Sequence, residues 1–118
     1  MKILALDSAL DALGVAFVEN GVVRARAQEP MSRGQAERIA PLVQDIMQEA
    51  GARFAEIDRI AVTIGPGSFT GVRVGLAFAR GLAVSLDRPC VGLSTLEALA
   101  LENGAEGWRA ALIDSSGA

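Results

Sequence analysis

The sequence predicts an α/β fold built on a mixed five-stranded sheet, and three observations carry that prediction. Two apolar stretches near the start are separated by Asn20-Gly21, the strongest short hairpin signal. A β-branched run, Ile60-Ala61-Val62-Thr63-Ile64, passes through Gly65-Pro66-Gly67 into a long apolar helical stretch ending near Leu86. A further short apolar stretch at 89–93 completes a strand-helix-strand unit, which should cross over right-handed and pair in parallel.

Taken in order, 2–6 (KILAL) is an apolar strand ending at Asp7, and 8–12 is a short turn. Residues 13–19 (LGVAFVE) alternate loosely and read as a second strand. Residues 22–28 form the third, with Arg24 and Arg26 sharing one solvated face. A connection at 29–33 leads into a helix over 35–50. Its apolar face is Ile39, Leu42, Val43, Ile46, Met47 and Ala50, and Glu37, Asp45 and Glu49 lie on a solvated face. Pro41 should kink it near Glu37, and Gly51 should stop it. The strand at 60–64 reads as covered on both faces. Ser68 or Thr70 can cap the helix that follows. Ser94 and Glu97 fit a capping box opening a helix over 95–103, and 109–113 is a last apolar strand.

The helix to Leu86 is apolar nearly all round, with Arg73 and Arg80 its two charges, so it should be buried on more than one side. Gly71, Gly75, Ala79 and Ala83 make a ridge of small residues at i, i+4 spacing. A second backbone can approach closely there, either the domain's own sheet or a partner's helix.

Composition removes whole classes of chemistry. The 118 residues include no histidine, which excludes His-based acid–base catalysis, serine triads with His and His-ligated zinc. Net charge is −3 with no basic run, which argues against strong independent nucleic-acid binding. No apolar run is long enough to span a bilayer, and no basic stretch precedes an apolar one as in a signal peptide. One cysteine, Cys90, excludes an internal disulfide and fits a reducing cytoplasm; it reads as a small core residue at a strand start.

Two stretches can carry chemistry. GPGSFTG (65–71) places a glycine turn at a helix N-terminus, where free N–H groups can meet an anion or simply be capped. It lacks the lysine of a phosphate-binding P-loop, and Thr70 stands where the dinucleotide fingerprint needs a third glycine. Asp7, at a strand end, can hold Mg²⁺ through water or cap a turn. The candidate nucleotide or anion contacts are therefore Asp7, Gly65, Gly67, Ser68 and Thr70. No metal site is indicated. The strand endings ILALDS (3–8) and AALIDS (110–115) echo each other, as if a second copy of the domain began at the C-terminus.

The stretches MKILALDSA, VENGVV, IAPLVQDIMQEAG and IAVTIGPGSFTGVRVGLAFARGLAVSLDRPCVGLSTLEALA together resemble the TsaB (YeaZ) family over essentially the whole chain. That resemblance implies the actin-like ATPase (ASKHA, ribonuclease H-like) fold. Residues 1–104 would be the first actin-like domain, and 105–118 the start of a second, truncated one. It also implies a cytoplasmic, non-catalytic accessory subunit of the machinery that makes threonylcarbamoyladenosine in tRNA. Such a subunit stabilises the catalytic subunit TsaD, works with TsaE, forms a homodimer when alone and meets tRNA through the complex. The alternatives it leaves open are an ATP-binding or hydrolysing enzyme of the actin-like class and a glycoprotease-like M22 peptidase. ATP or ADP with Mg²⁺ would bind, if anywhere, at a composite site. The resemblance shifts the small-residue ridge towards a subunit interface. The candidate interface residues are Ile39, Val43, Met47, Val72, Gly75, Leu76 and Ala79.

Overall fold

A computed structural model of the chain describes residues 1–9, 12–31, 33–65 and 69–94. Five strands form one sheet: β1 (Lys2–Asp7), β2 (Ala12–Glu19), β3 (Val22–Pro30), β4 (Arg59–Thr63) and β5 (Cys90–Leu93). Their spatial order is β3-β2-β1-β4-β5. The first three form an antiparallel meander, and β4 and β5 add in parallel beside β1. The mixed five-stranded sheet expected from the sequence is therefore present. Strand β1 is central, and its run Ile3-Leu4-Ala5-Leu6 is buried on both faces, as a paired interior strand without polar alternation must be. At the β2–β3 turn Asn20 has φ 51° and Gly21 φ 82°, the paired left-handed conformations of a type I′ hairpin.

Helices α1 (Gln35–Glu49) and α2 (Phe69–Leu86) lie against the same face of the sheet. Their core contains Leu4, Leu6, Val15, Phe17, Ile60 and Val62 from the strands. Helix α1 contributes Ile39, Leu42, Val43, Ile46 and Met47, and α2 contributes Ala79 and Ala83. The opposite face carries a second apolar layer of Ile3, Ala5, Ala16, Val18, Ala61 and Leu93. A bidentate ion pair from Arg38 to Glu29, both bonds 2.8 Å, fastens α1 to the edge strand β3. That hydrogen bond, with the charge of Arg38, holds the Glu29 carboxyl below the usual glutamate range.

Both helices end in the same way. After α1, Gly51 N–H bonds Gln48 O and Ala52 N–H bonds Met47 O; after α2, Asp87 N–H bonds Val84 O and Arg88 N–H bonds Ala83 O. These are paired Schellman closures. Gly51 takes the left-handed position at φ 66°, and Asp87 takes it at φ 54° without glycine's freedom.

Several expectations need correction. Strand β3 runs on to Pro30, because Ala12 pairs with Pro30 and Leu13 with Glu29, which also starts β2 one residue early. Proline is tolerated there because β3 is an edge strand. A register shift opposite Phe17/Val18 pairs Val18 with Val23 and Phe17 with Ala25, leaving Arg24 between them. Arg24 and Arg26 are nonetheless both exposed, as expected of residues on one solvated face. A short 3-10 turn, Phe54–Glu56, was not foreseen; the Glu56 carboxylate closes it by accepting the Arg53 N–H at 2.9 Å. Ile64 lies beyond β4 and is 52% exposed, so the doubly covered run ends at Thr63. Helix α1 continues through Pro41, which is exposed. The stretches expected at 95–103 and 109–113, and the domain boundary at 104/105, lie outside the described residues.

Helix α2 departs most from expectation. It is not buried all round: Arg73, Ala77, Arg80 and Val84 are exposed, Val84 at 83%. The ridge of Gly71, Gly75, Ala79 and Ala83 is buried, and it faces the domain's own sheet rather than outward to a partner. The physical reason is close approach. A Cβ placed on Gly75 would meet Ser8 Oγ nearer than any real Cβ contact and Val62 Cγ2 at 3.5 Å.

Candidate functional site

Two regions carry the candidate residues, one at the ends of the central strands and one on the outer side of the helices. In the parallel pair Leu6 lies opposite Val62, so the next residues, Asp7 and Thr63, emerge side by side where both strands end. Asp7 Oδ1 accepts the Thr63 hydroxyl at 2.8 Å and the Ala9 N–H at 3.1 Å. Thr63 is fully buried and Asp7 half-buried. Both hydrogen bonds fall on Oδ1; among the described residues no donor reaches Oδ2. Gly14, opposite Asp7 in β2, leaves the carboxylate's flank uncrowded, because a Cβ there would stand at ordinary contact distance, 3.7 Å, from Asp7 Cβ. Gly65 follows β4 with φ 114°, a conformation that favours glycine.

Ser8, one residue on, turns the other way. Its buried hydroxyl donates to Gly71 O at 2.5 Å, tying the end of β1 to the first turns of α2. The two neighbours divide the work: Asp7 is held against β4, and Ser8 against the helix.

Of the expected nucleotide contacts, Asp7 ends β1 and Gly65 lies two residues beyond the end of the neighbouring strand β4. Thr70 sits inside the first turn of α2, not before it, so it is not the cap; it is exposed. Gly67 and Ser68 lie outside the described residues. Sequence reasoning missed Thr63 and Ser8. In the sequence Thr63 is one more residue of an apolar run, and its role follows from the β1–β4 register. The signal that could have found it is the alignment of ILALD (3–7) with RIAVT (59–63) as parallel neighbours, which sets Asp7 and Thr63 at the same level. Among the described residues no three His, Cys, Asp or Glu side chains gather where they could hold a metal ion.

Of the expected interface residues, Ile39, Val43 and Met47 are core positions of α1, and Gly75 and Ala79 face the sheet. Val72 and Leu76 are half-buried. What the helices present outward is an open groove of about 500 Å³ lined by Ala36, Ile39, Thr70, Arg73, Val74, Ala77 and Phe78. A second open hollow, about 680 Å³, lies at the far end of α2 between Arg80, Val84, Arg88 and Cys90. Cys90 is half-buried there, and burial pushes its thiol up, with the Arg80 charge opposing.

A family model described as TsaD, tRNA N6-adenosine threonylcarbamoyltransferase, matches residues 23–115. The protein named tRNA threonylcarbamoyladenosine biosynthesis protein TsaB from Escherichia coli is 44% identical over 100 residues, covering 85% of this chain and 43% of that one. YeaZ from Pseudomonas aeruginosa superposes with a TM-score of 0.75 at 39% identity, covering 79% of this chain and 43% of the other. This chain belongs to the TsaB (YeaZ) branch of the TsaD-type family. It is also similar to the tRNA N6-adenosine threonylcarbamoyltransferase of Erythrobacter litoralis, 43% identical over 75 residues, 64% of this chain and 22% of that one. RuvC from Thermus thermophilus, at 16% identity and TM-score 0.56 over 95% of this chain and 78% of that one, shares the fold alone. The match to both YeaZ and RuvC accords with the expected actin-like, ribonuclease H-like class. This TsaB-family chain spans less than half the length of the TsaB proteins it matches. Among its described residues no helix is long and apolar enough to cross a membrane.

Proposed function

We propose that the chain is the partner-binding first domain of an accessory, non-catalytic subunit in tRNA threonylcarbamoyladenosine biosynthesis. The observation that carries this reading is the groove between α1 and α2. Each helix commits its inner side to the sheet, yet the outer side keeps an apolar trough with Arg73 beside it. An exposed trough of this kind on a helical pair suits another helical pair, and two helices can supply the roughly 800 Å² per partner of a standard interface. The partner on this reading is TsaD, with TsaE as the third component and tRNA met through the complex. A second copy of the chain would take the groove when TsaD is absent. The setting is cytoplasmic.

The experiment is light scattering on the full-length protein with and without TsaD, comparing wild type with Ala77→Arg. Ala77 is exposed and lines the groove, so its replacement leaves the core intact while filling the trough with a charged side chain. The homodimer and the one-to-one complex should both be lost. A complex that forms as well with Ala77→Arg as with wild type would move the interface elsewhere.

A second reading rests on Asp7. A carboxylate held through one oxygen at the end of parallel strands, with a positive-φ glycine two residues past the neighbouring strand, fits Mg²⁺ with ADP or ATP at a composite site. Asp7 would accept from the ion's bound water, and the ion would neutralise phosphate charge. Asp7→Asn should weaken Mg-nucleotide binding by the full-length protein. Equal affinity in the two proteins would remove this reading without touching the first.

A further inference from the structure

We propose that Thr63 is the positioning residue for Asp7, fixing the orientation of its carboxylate so that one oxygen is held inward and the other is offered to a ligand at the strand ends. The inference rests on the second reading above and extends it to a residue that no carboxylate pattern would single out. The Thr63 hydroxyl is fully buried, so leaving its one donor unpaired would be costly. An ionised carboxylate can only accept, so the proton on this bond belongs to Thr63 and its direction is fixed. The β-branched side chain on a paired strand has little freedom at χ1, and the strand itself is bonded on both edges, to β1 and to β5. Thr63 is therefore a stiff donor, and Asp7, at the end of its strand, is the softer partner.

The Ala9 N–H reaches the same oxygen. With two donors on one oxygen the plane of the Asp7 carboxylate is fixed: a half-turn about χ2 only swaps two equivalent oxygens, and any smaller rotation breaks both hydrogen bonds. Oδ1 is thereby held inward and Oδ2 becomes the acceptor for a ligand. The ligand chemistry that fits is a group able to donate to one carboxylate oxygen, namely water on a divalent cation carried by nucleotide phosphates. Without Thr63 the Ala9 N–H is left as one donor for two equivalent oxygens, and Asp7 loses its fixed orientation.

The test is calorimetric titration of ADP into the full-length protein with TsaD present, once with Mg²⁺ and once with EDTA. The quantity read is the gain in affinity that Mg²⁺ gives. Thr63→Val should lower that gain about tenfold, the scale of one hydrogen bond to a charged group, while affinity in EDTA stays unchanged. Thr63→Ala, which leaves space rather than an apolar branch, should show the same loss if the valine variant folds poorly. Thr63→Ser, which restores the donor, should return the gain to within about twofold of wild type. A residue with a merely structural role would lower both affinities together. If Thr63→Val and Thr63→Ala keep the full Mg²⁺ gain while Asp7→Asn loses it, Thr63 has no positioning role and the reading of Asp7 survives. If wild type shows no Mg²⁺ gain, the reading of Asp7 fails and this proposal fails with it.

Discussion

Helices α1 and α2 cover the same face of one sheet by opposite means. Helix α1 fills its space with Ile39, Leu42, Val43, Ile46 and Met47, side chains that reach across a gap. Helix α2 closes the gap with Gly71, Gly75, Ala79 and Ala83, so that its backbone comes near β1 and β4. The two arrangements fail differently. A large side chain in a core leaves a cavity when it is cut back, whereas a glycine at close approach leaves no room when it is enlarged.

Cutting α1 should have the largest effect. Ile46→Ala, at a site 2% exposed, should destabilise by about 3 kcal/mol, read as a lower denaturation midpoint at unchanged slope. Filling α2 should come next. Gly75→Ala forces its methyl against Ser8 Oγ and should cost about 2 kcal/mol. Ser8→Ala should relieve much of that clash, so the double variant should be more stable than the sum of its parts implies. Additive losses would mean that the helix, not the serine, sets the spacing.

The helix ends sharpen the contrast further. Asp87→Gly should stabilise by roughly 0.5 to 1 kcal/mol in thermal or denaturant unfolding, because it removes the left-handed penalty that Gly51 never carries. The smallest effect concerns the clamp of α1 to β3. The Glu29 carboxyl is held down by Arg38, so its contribution is full above the ordinary glutamate pKa and is lost as pH falls through the lowered folded value. The gap in melting temperature between wild type and Glu29→Gln should therefore close as pH falls below the ordinary glutamate range. A gap that persisted in acid would assign the effect to packing instead.

The same contrast explains what could be read beforehand. Helix α1 was legible because its polar face leaves one orientation open. The inner face of α2 was not, because a helix apolar on every side gives periodicity nothing to choose between. Its small-residue ridge signalled closeness without saying to what. Asn20-Gly21 announced its hairpin because the type I′ turn needs both conformations locally. Asp7 was legible as a strand-end carboxylate, but Thr63 and Ser8 were not, because their partners are 56 and 63 residues away along the chain. Register between distant strands is a tertiary fact that no local pattern encodes.

Strand β1 has a consequence in time as well as in space. One of its edges is satisfied by β2, joined to it by a short connection; the other must await β4, beginning at Arg59. As the chain leaves a ribosome, the three-stranded meander is complete before the residues that will seal its open side have been made. Closing that long loop carries the larger entropic cost, so the β1–β4 pairing belongs to the late stage of folding. Pulsed hydrogen exchange during refolding should protect the β1–β2 amides first. Until β4 arrives, a strand whose middle is buried on both faces in the finished domain travels with one bare edge.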